Sequence, residues 1–345
     1  MNCKNILVIC TGGTIGMVCD KLSGALRPAS MHDFEHILPE LSDTATTATV
    51  VAFQPLIDSA NVSPSAWSRM ANVIYKEYEK YDGFVLLHGT DTMAYSASAL
   101  SFMLENLQKP VIFTGSQLPL GVRRTDAREN ILTALEIAAA EDAEGKAIVP
   151  EVCIFFENTL YRGNRTTKRN AEQFDAFRSF NFSPLAQAGV HITYYPHRVH
   201  YPDWSSPMRL RTRIDEHVAI LKLFPGISPE TVRAILGIAG LRGVVLESYG
   251  TGNAPTAQWF VDALKEAISK GIIIVNRTQC AQGAVEMGRY ETSLPLLQAG
   301  VLSGYDITTE ALVTKMMYLM GEHGNDNDTI KRLLQTNLCG EMTIS

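Results

Sequence analysis

Short apolar runs alternate with amphipathic stretches from the start of the chain to about residue 158. This alternation is typical of a mainly parallel sheet with helices on both faces. The apolar runs predict strands at residues 6–9, 84–87, 111–114 and 152–156. Helical spacing of apolar residues predicts helices at residues 63–81, 93–107 and 126–140.

The first of these helices has the clearest pattern. Ser63 is a good N-cap residue and Pro64 suits the first helical position. The apolar residues that follow at helical spacing are Trp67, Met70, Ile74, Tyr78 and Tyr81. These side chains are therefore predicted to belong to a core.

The periodic pattern is interrupted in the second half of the chain. Residues 194–215 are rich in proline and lose their periodicity, which predicts an interdomain linker. Strands are then expected at residues 218–223, 244–248 and 272–276, with helices between and after them. The prediction is an α/β protein with a larger N-terminal domain (residues 1–193) whose mainly parallel sheet is flanked by helices. A smaller C-terminal α/β domain (residues 216–345) follows the linker.

Composition excludes several functional classes. A chain of 345 residues with 46% hydrophobic residues can bury sizeable cores, and a net charge of −6 disfavours a nucleic-acid partner. Its apolar runs are shorter than the roughly 18 residues of a membrane helix, and its first strand is too short for a signal sequence. The six cysteines are scattered and form no CxxC pair, as expected of reduced thiols. The sequence predicts a cytoplasmic protein without a membrane partner.

Two threonine motifs follow predicted strands and are the first candidates for chemistry. Residues 11–16 read TGGTIG, and residues 88–92 read HGTDT. Ligands of open α/β sheets usually bind beyond the carboxyl ends of the strands. The TGGTIG motif fits neither GxGxxG nor GxxxxGK[ST], which disfavours a nucleotide site. The glycines are instead expected to turn the backbone so that Thr14 and neighbouring N–H groups can meet a ligand.

A third polar segment, residues 157–168, is predicted to be a loop after the strand at residues 152–156. It ends in Lys168. A hydroxyl is a weak nucleophile and needs a base, so Asp91, Lys168 and Thr90 could form a proton relay that leaves Thr14 free to attack a carbonyl. Taken by itself, Asp91 would be interpreted as the N-cap of the following helix. His88 is interpreted as a buried core histidine, and Arg123–Arg124, flanked by Asp126 and Glu129, as a solvated helix entry.

These motifs resemble the bacterial-type L-asparaginase family, and in particular its cytoplasmic type I branch. The resemblance is carried by residues 11–16 (TGGTIG), 88–95 (HGTDTMAY) and 161–168 (YRGNRTTK), and extends to 113–117 (FTGSQ) and 248–255 (SYGTGNAP). It implies hydrolysis of L-asparagine to L-aspartate and ammonia through an acyl-threonine, without a metal or other cofactor. It also implies self-association as a homodimer or a dimer of dimers.

The resemblance assigns roles to individual residues. Thr14 matches the nucleophile, and Thr90, Lys168 and Asp91 match the family's triad. Further positions match residues around the substrate: Asp58 and Ser59 at its α-amino and α-carboxylate groups, Asp91 also at the α-amino group, and Ser116 through its backbone carbonyl near the leaving amide nitrogen.

Two positions depart from the family pattern. Many relatives have a tyrosine in the loop after the first motif, whereas residues 23–28 contain none. Glu247 stands where some type I relatives use an arginine to bind a second asparagine, and its charge would repel an α-carboxylate.

Two alternative functions are weighed against asparagine hydrolysis. One is the ammonia-supplying subunit of a transfer-RNA amidotransferase, which has an additional N-terminal domain, whereas here the first motif begins at residue 11. The other is a silent amino-acid sensor, which retention of Thr14, Thr90 and Lys168 disfavours.

Overall fold

The computed structural model describes residues 3–19, 26–28, 33, 46–289 and 293–344. The chain forms two compact units, Met1–Arg211 and Thr212–Ser345.

Eight strands form the main sheet in the described part of the first unit. They are β1 (Lys4–Cys10), β2 (Thr46–Ala52), β3 (Gly83–Leu87), β4 (Val111–Thr114), β5 (Val152–Phe156), β6 (Thr159–Arg162), β7 (Ala186–Ala188) and β8 (Ile192–Tyr194). Their order is β8-β7-β6-β5-β4-β3-β1-β2, and the strands from β5 to β2 are parallel. The carboxyl ends of β1, β3 and β4 are therefore neighbours, and each leads into a predicted site segment.

The helices of this unit are α1 (Pro64–Glu77), α2 (Met93–Met103) and α3 (Ala127–Ala139). The middle strands are buried along their whole length, as the continuous apolar runs predict. Helix α3 packs Ile131 and Leu135 into the core cluster that contains Val85 and Ile112. Helix α2 ends earlier than predicted, because Leu104–Glu105 forms a short antiparallel pair with Arg209–Leu210.

The segment predicted as a loop after β5 is largely structured. Strands β5 and β6 form an antiparallel hairpin joined by Glu157 and Asn158, which have φ values of 42° and 62°. A tight hairpin turn has positive φ at both central residues and is usually formed by Asn-Gly. The Glu-Asn sequence therefore did not predict a hairpin here. A 3-10 helix (Gly163–Arg165) and a short strand (Thr167–Lys168) follow. The prediction of a loop at residues 157–168 is wrong.

The segment predicted as a linker also contains structure. Strand β8 ends at Tyr194, a 3-10 helix covers Pro196–Arg198, and the Arg209–Leu210 strand belongs to the first unit. The boundary between the compact units lies at Arg211 and Thr212, near the end of this segment.

The second unit has a four-stranded parallel sheet among its described residues, in the order β9 (Val218–Lys222), β10 (Gly243–Ser248), β11 (Ile273–Thr278) and β12 (Leu302–Ser303). Its helices are α4 (Pro229–Leu236), α5 (Gln258–Ser269), α6 (Leu294–Ala299), α7 (Thr309–His323) and α8 (Asn327–Leu334). The large sheet with its helices and the smaller α/β unit confirm the predicted fold class. No helix in the described ranges is long and apolar enough to cross a membrane.

An ion pair is completely buried in the second unit. Lys315 of α7 and Glu341 both have 0% exposure, and Lys315 Nζ donates to Glu341 Oε1 at 2.6 Å and to Thr336 O at 2.6 Å. The same carboxylate accepts from the N–H groups of Leu338 and Cys339. The C-terminal segment is thus tied to α7 by a satisfied polar network.

Replacing Lys315 with methionine is expected to destabilise the protein by about 3–5 kcal/mol, because it leaves a buried carboxylate without its cation. The double variant K315M/E341Q removes that charge and should recover part of the loss. The control K270M breaks the exposed pair with Glu266 and should cost under about 1 kcal/mol. Urea unfolding midpoints measure all three variants. Equal midpoints for K315M and K270M would contradict the prediction.

The same pair predicts a pH dependence of stability. Burial alone would raise the pKa of Glu341, but Lys315 and the N–H groups of Cys339 and Leu338 outweigh it and lower the pKa below its usual value. A carboxylate with a lowered pKa stabilises the fold above its unfolded pKa of about 4.3. This contribution is lost as the pH falls through the lower folded value.

Candidate active site

The first threonine motif is packed directly against the second. Gly12 and Gly13 have φ values of 139° and 81°, which residues with a Cβ rarely adopt. A methyl group on Gly13 would overlap the Gly89 nitrogen, so the two backbones touch without an intervening side chain. Thr14 begins the 3-10 helix Thr14–Gly16 and is half-buried. Thr14 and Thr90 thus each follow a glycine of this contact.

A second loop closes on the first motif from the other side. Ile57 N donates to Thr11 O at 2.8 Å, and a methyl group on Gly12 would overlap the Ile57 carbonyl. The next residue, Asp58, is exposed and caps the 3-10 helix Ser59–Asn61 by accepting from Ala60 N at 2.9 Å. Ser59 is buried, and a methyl group on Gly89 would lie 2.5 Å from its Oγ.

Lys168 joins the second motif. Its Nζ donates to Thr90 Oγ1 at 2.8 Å and to Asp91 Oδ1 at 2.6 Å. The lysine side chain is 18% exposed and the aspartate side chain 63%. Thr92, not Asp91, is the N-cap residue of α2, and its hydroxyl donates to Ser59 O at 2.7 Å. The alternative that Asp91 is the N-cap is therefore wrong, and its carboxylate serves the lysine.

Two backbone donors belong to the same region. Within the described residues, the N–H groups of Thr14 and Thr90 donate to no acceptor. Both belong to half-buried threonines on either side of the Gly13–Gly89 contact. Such donors can stabilise negative charge on a ligand oxygen.

The loop after β4 forms another wall. A methyl group on Gly115 would lie 2.7 Å from His88 O and 3.3 Å from Thr90 Cγ2, so Ser116 follows a residue in contact with the second motif. The Asp126 carboxylate accepts from Gln117 N at 3.0 Å. The C=O and N–H of a trans peptide point in opposite directions, so the Ser116 carbonyl points away from Asp126.

The structure therefore brings Thr14, Thr90, Asp91, Lys168, Asp58, Ser59 and Ser116 to one edge of the sheet in the first unit. Known proteins are similar in sequence to nearly the whole of this chain. Residues 5–200 match the family described as asparaginase, N-terminal, and residues 217–334 match the glutaminase/asparaginase C-terminal domain. L-asparaginase 1 of Escherichia coli (strain K12) is 44% identical over 350 residues, covering 99% of each chain.

The chain belongs to the asparaginase family. The crystal structure of L-asparaginase I from Vibrio cholerae is 39% identical, with a TM-score of 0.88 and 99% of each chain covered. The 60 kDa lysophospholipase of Homo sapiens is 42% identical over 361 residues, which cover 99% of this chain and 62% of that protein. The resemblance predicted from the sequence motifs is confirmed.

The two departures from the asparaginase pattern, the loop without tyrosine and Glu247, lie in different parts of the chain. Residues 23–25 of the loop without tyrosine lie outside the described residues, while Leu26–Pro28 pairs with Met17–Cys19. Glu247 lies in β10 of the second unit and is 7% exposed. Its carboxylate accepts from Thr309 Oγ1 at 2.6 Å and lies 3.8 Å from Arg277 Nη1.

The sequence interpretation missed the residues that hold the Ser116 loop. Asp126 was predicted to flank a solvated helix entry, but its carboxylate makes no cap bond to α3 and instead accepts from Gln117 and Leu118. Asn130, one turn later and buried, donates to Gly115 O at 2.9 Å. Its spacing of four residues from Asp126 on one helix face was the available signal.

Replacing Asp126 with alanine is expected to reduce kcat/KM for the family reaction about tenfold, because bonds to a carboxylate contribute about 1.5–3 kcal/mol and their loss frees the Ser116 carbonyl. E129A, in the same helical turn and exposed, is the matched control. Steady-state kinetics of both variants test the assignment. Equal kinetics for the two would show that Asp126 does not position the loop.

Proposed function

We propose that the protein hydrolyses L-asparagine to L-aspartate and ammonia through a covalent acyl-threonine formed on Thr14. The proposal is supported most directly by Lys168, whose Nζ lies within 2.8 Å of Thr90 Oγ1 and 2.6 Å of Asp91 Oδ1. Thr90, Lys168 and Asp91 are in hydrogen-bond contact and can transfer a proton among themselves. Thr14, the second threonine, is half-buried in the same region. Family membership and the named relatives agree with this reaction.

In the first step, the Thr14 hydroxyl oxygen bonds to the carbon of the side-chain amide and loses its proton to the relay of Thr90, Lys168 and Asp91. The amide oxygen becomes negatively charged in the tetrahedral intermediate. The N–H groups of Thr14 and Thr90 face no described acceptor and can donate to it. One such donor is worth about 2.7–4 kcal/mol in other acyl-transfer sites.

In the next step, the carbon–nitrogen bond breaks and the nitrogen leaves as ammonia after receiving a proton. The relay of Asp91, Lys168 and Thr90 carries this proton, with Asp91 orienting the lysine. Water then adds to the ester carbon and gives a proton to the same relay. The ester carbon–oxygen bond then breaks, the relay returns its proton to the Thr14 oxygen, and aspartate is released.

The substrate's α-groups are bound by the loops beside the threonines. Asp58 and Asp91 are exposed carboxylates suited to the α-ammonium group, and Ser59 offers a hydroxyl to the α-carboxylate. The Ser116 carbonyl accepts from the amide nitrogen before it leaves. Asparagine and glutamine differ by one methylene, worth about 1–3 kcal/mol in a fitted pocket.

The deciding experiment measures ammonia release by the purified protein against asparagine and glutamine concentration. Turnover of asparagine supports the proposal, and the shape of the curve reports any second asparagine site. Binding of asparagine by calorimetry without ammonia release would instead favour a sensor. Because one relative is named a lysophospholipase, fatty-acid release from lysophosphatidylcholine is measured in parallel. Fatty-acid release without ammonia release would overturn the proposal.

We further propose that the protein acts in the cytoplasm as a homodimer or a dimer of dimers. The family resemblance supports this state, and the described cysteines Cys3, Cys10, Cys153, Cys280 and Cys339 are free thiols. Analytical ultracentrifugation at assay concentrations distinguishes the two assemblies, and a monomer that retains full turnover would contradict both.

A further inference from the structure

A chain of buried hydrogen bonds runs behind the second threonine motif. Trp67 Nε1 donates to Ser96 Oγ at 3.1 Å, and Ser96 Oγ lies 2.9 Å from His88 Nε2. His88 Nδ1 lies 2.7 Å from Gly89 O. His88 is 1% exposed and Ser96 0%. This series of hydrogen bonds connects α1 and α2 to the backbone that carries Thr90.

The chemistry of the donors and acceptors determines which atom donates in these hydrogen bonds. An indole N–H can only donate and a carbonyl oxygen can only accept. His88 therefore donates from Nδ1 to Gly89 O, and in a neutral ring, which carries a single N–H, Nε2 accepts from the Ser96 hydroxyl. That hydroxyl in turn accepts from Trp67.

The Gly89 carbonyl belongs to the same peptide unit as the Thr90 N–H. In a trans peptide these groups point in opposite directions, so a carbonyl held by the buried His88 turns the Thr90 N–H away from the imidazole. We propose that His88 is a positioning residue that aims the Thr90 N–H at the oxyanion of the substrate. This inference rests on the proposed hydrolysis, in which the oxyanion forms on the substrate amide.

The residues around Gly89 restrict the orientation of its carbonyl group. On its other sides Gly89 is confined by Gly13 and by Ser59, without a side chain of its own. Burial lowers the pKa of His88 to about 4, although the bond to Gly89 opposes this shift. The ring is therefore neutral near pH 7, with one donor and one acceptor. An unmade bond at this depth would leave a buried donor unsatisfied.

The test compares H88L, which removes the donor, with H88N, whose amide nitrogen can replace Nδ1. H88L is expected to reduce kcat for asparagine at least about tenfold, consistent with the loss of part of one oxyanion contact. KM should stay within about twofold, because the contact forms in the transition state. H88N should recover most of the kcat. The variant S96A, which frees Nε2 and loosens the ring, should lower kcat by a smaller factor than H88L.

S101A is the control for S96A, because Ser101 lies in the same helix and donates only to Ala97 O. Melting temperatures are measured for each variant, and S96A decides the question if H88L does not fold. Equal kcat for S96A and S101A, or equal loss in H88L and H88N, would overturn the positioning role. Wild-type protein is assayed alongside: its failure to release ammonia would contradict the proposed function, whereas an active wild type with an unimpaired H88L would contradict only this inference.

Discussion

Replacement of Thr14 by alanine is expected to reduce kcat for asparagine by about 10⁴- to 10⁶-fold, the range found when single members of the catalytic triad of an acyl-transfer enzyme are removed. The reason is that no covalent intermediate can form. Thr14 is half-buried and follows Gly13, so the change removes a hydroxyl and a methyl group without altering the glycine turn.

Two further variants sharpen this test. T14S keeps the hydroxyl and should retain measurable turnover, while T49A removes an exposed threonine of β2 and should behave as wild type. Mass spectrometry of quenched reactions should detect an acyl adduct in the wild type and none in T14A. Near-normal turnover by T14A would rule out Thr14 as the nucleophile.

Replacement of Lys168 by methionine is expected to lower kcat by about 10²- to 10⁴-fold, the usual contribution of a positioned acid or base. Methionine fills a similar volume but cannot donate to Thr90 or Asp91, which now contact Nζ at 2.8 and 2.6 Å. Ammonia release measured from pH 5 to 10 checks the result.

An arginine at this position separates proton transfer from charge. K168R retains a cation that can contact Asp91, but a guanidinium does not give up its proton in proteins. It should therefore be impaired as strongly as K168M. K80M, which removes an exposed lysine paired with Glu77, is the control. Full activity of K168R would show that Lys168 acts only through its charge.

Much of the fold could be predicted from the hydrophobic pattern. The strands Val111–Thr114 and Val152–Phe156 have the predicted bounds because they are fully buried and continuously apolar. Proline at the first helical position correctly predicted the beginning of the helix at Pro64. The Glu157–Asn158 hairpin was missed because positive φ at these residues is imposed by strand pairing and not by glycine.

The grouping of the site residues was predictable where strand ends lead into short motifs, as for Thr14 and Thr90. The supporting residues were not, because their function depends on contacts between distant parts of the chain. His88 looks like an ordinary core residue until its bond to Gly89 and the partner Ser96 are seen. Asp126 likewise resembles a helix cap, yet it holds the backbone of a different loop.

The contact between Gly13 and Gly89 limits how substrate range can be altered. Neither position has a side chain that could be shortened, and any enlargement would push the two threonine loops apart. Among the described segments around the two threonines, the Asp58 loop and Ser116 have side chains that can be exchanged to make space for a longer amide substrate. Laboratory selection for new substrates should accumulate its changes in those two segments and leave both glycines untouched.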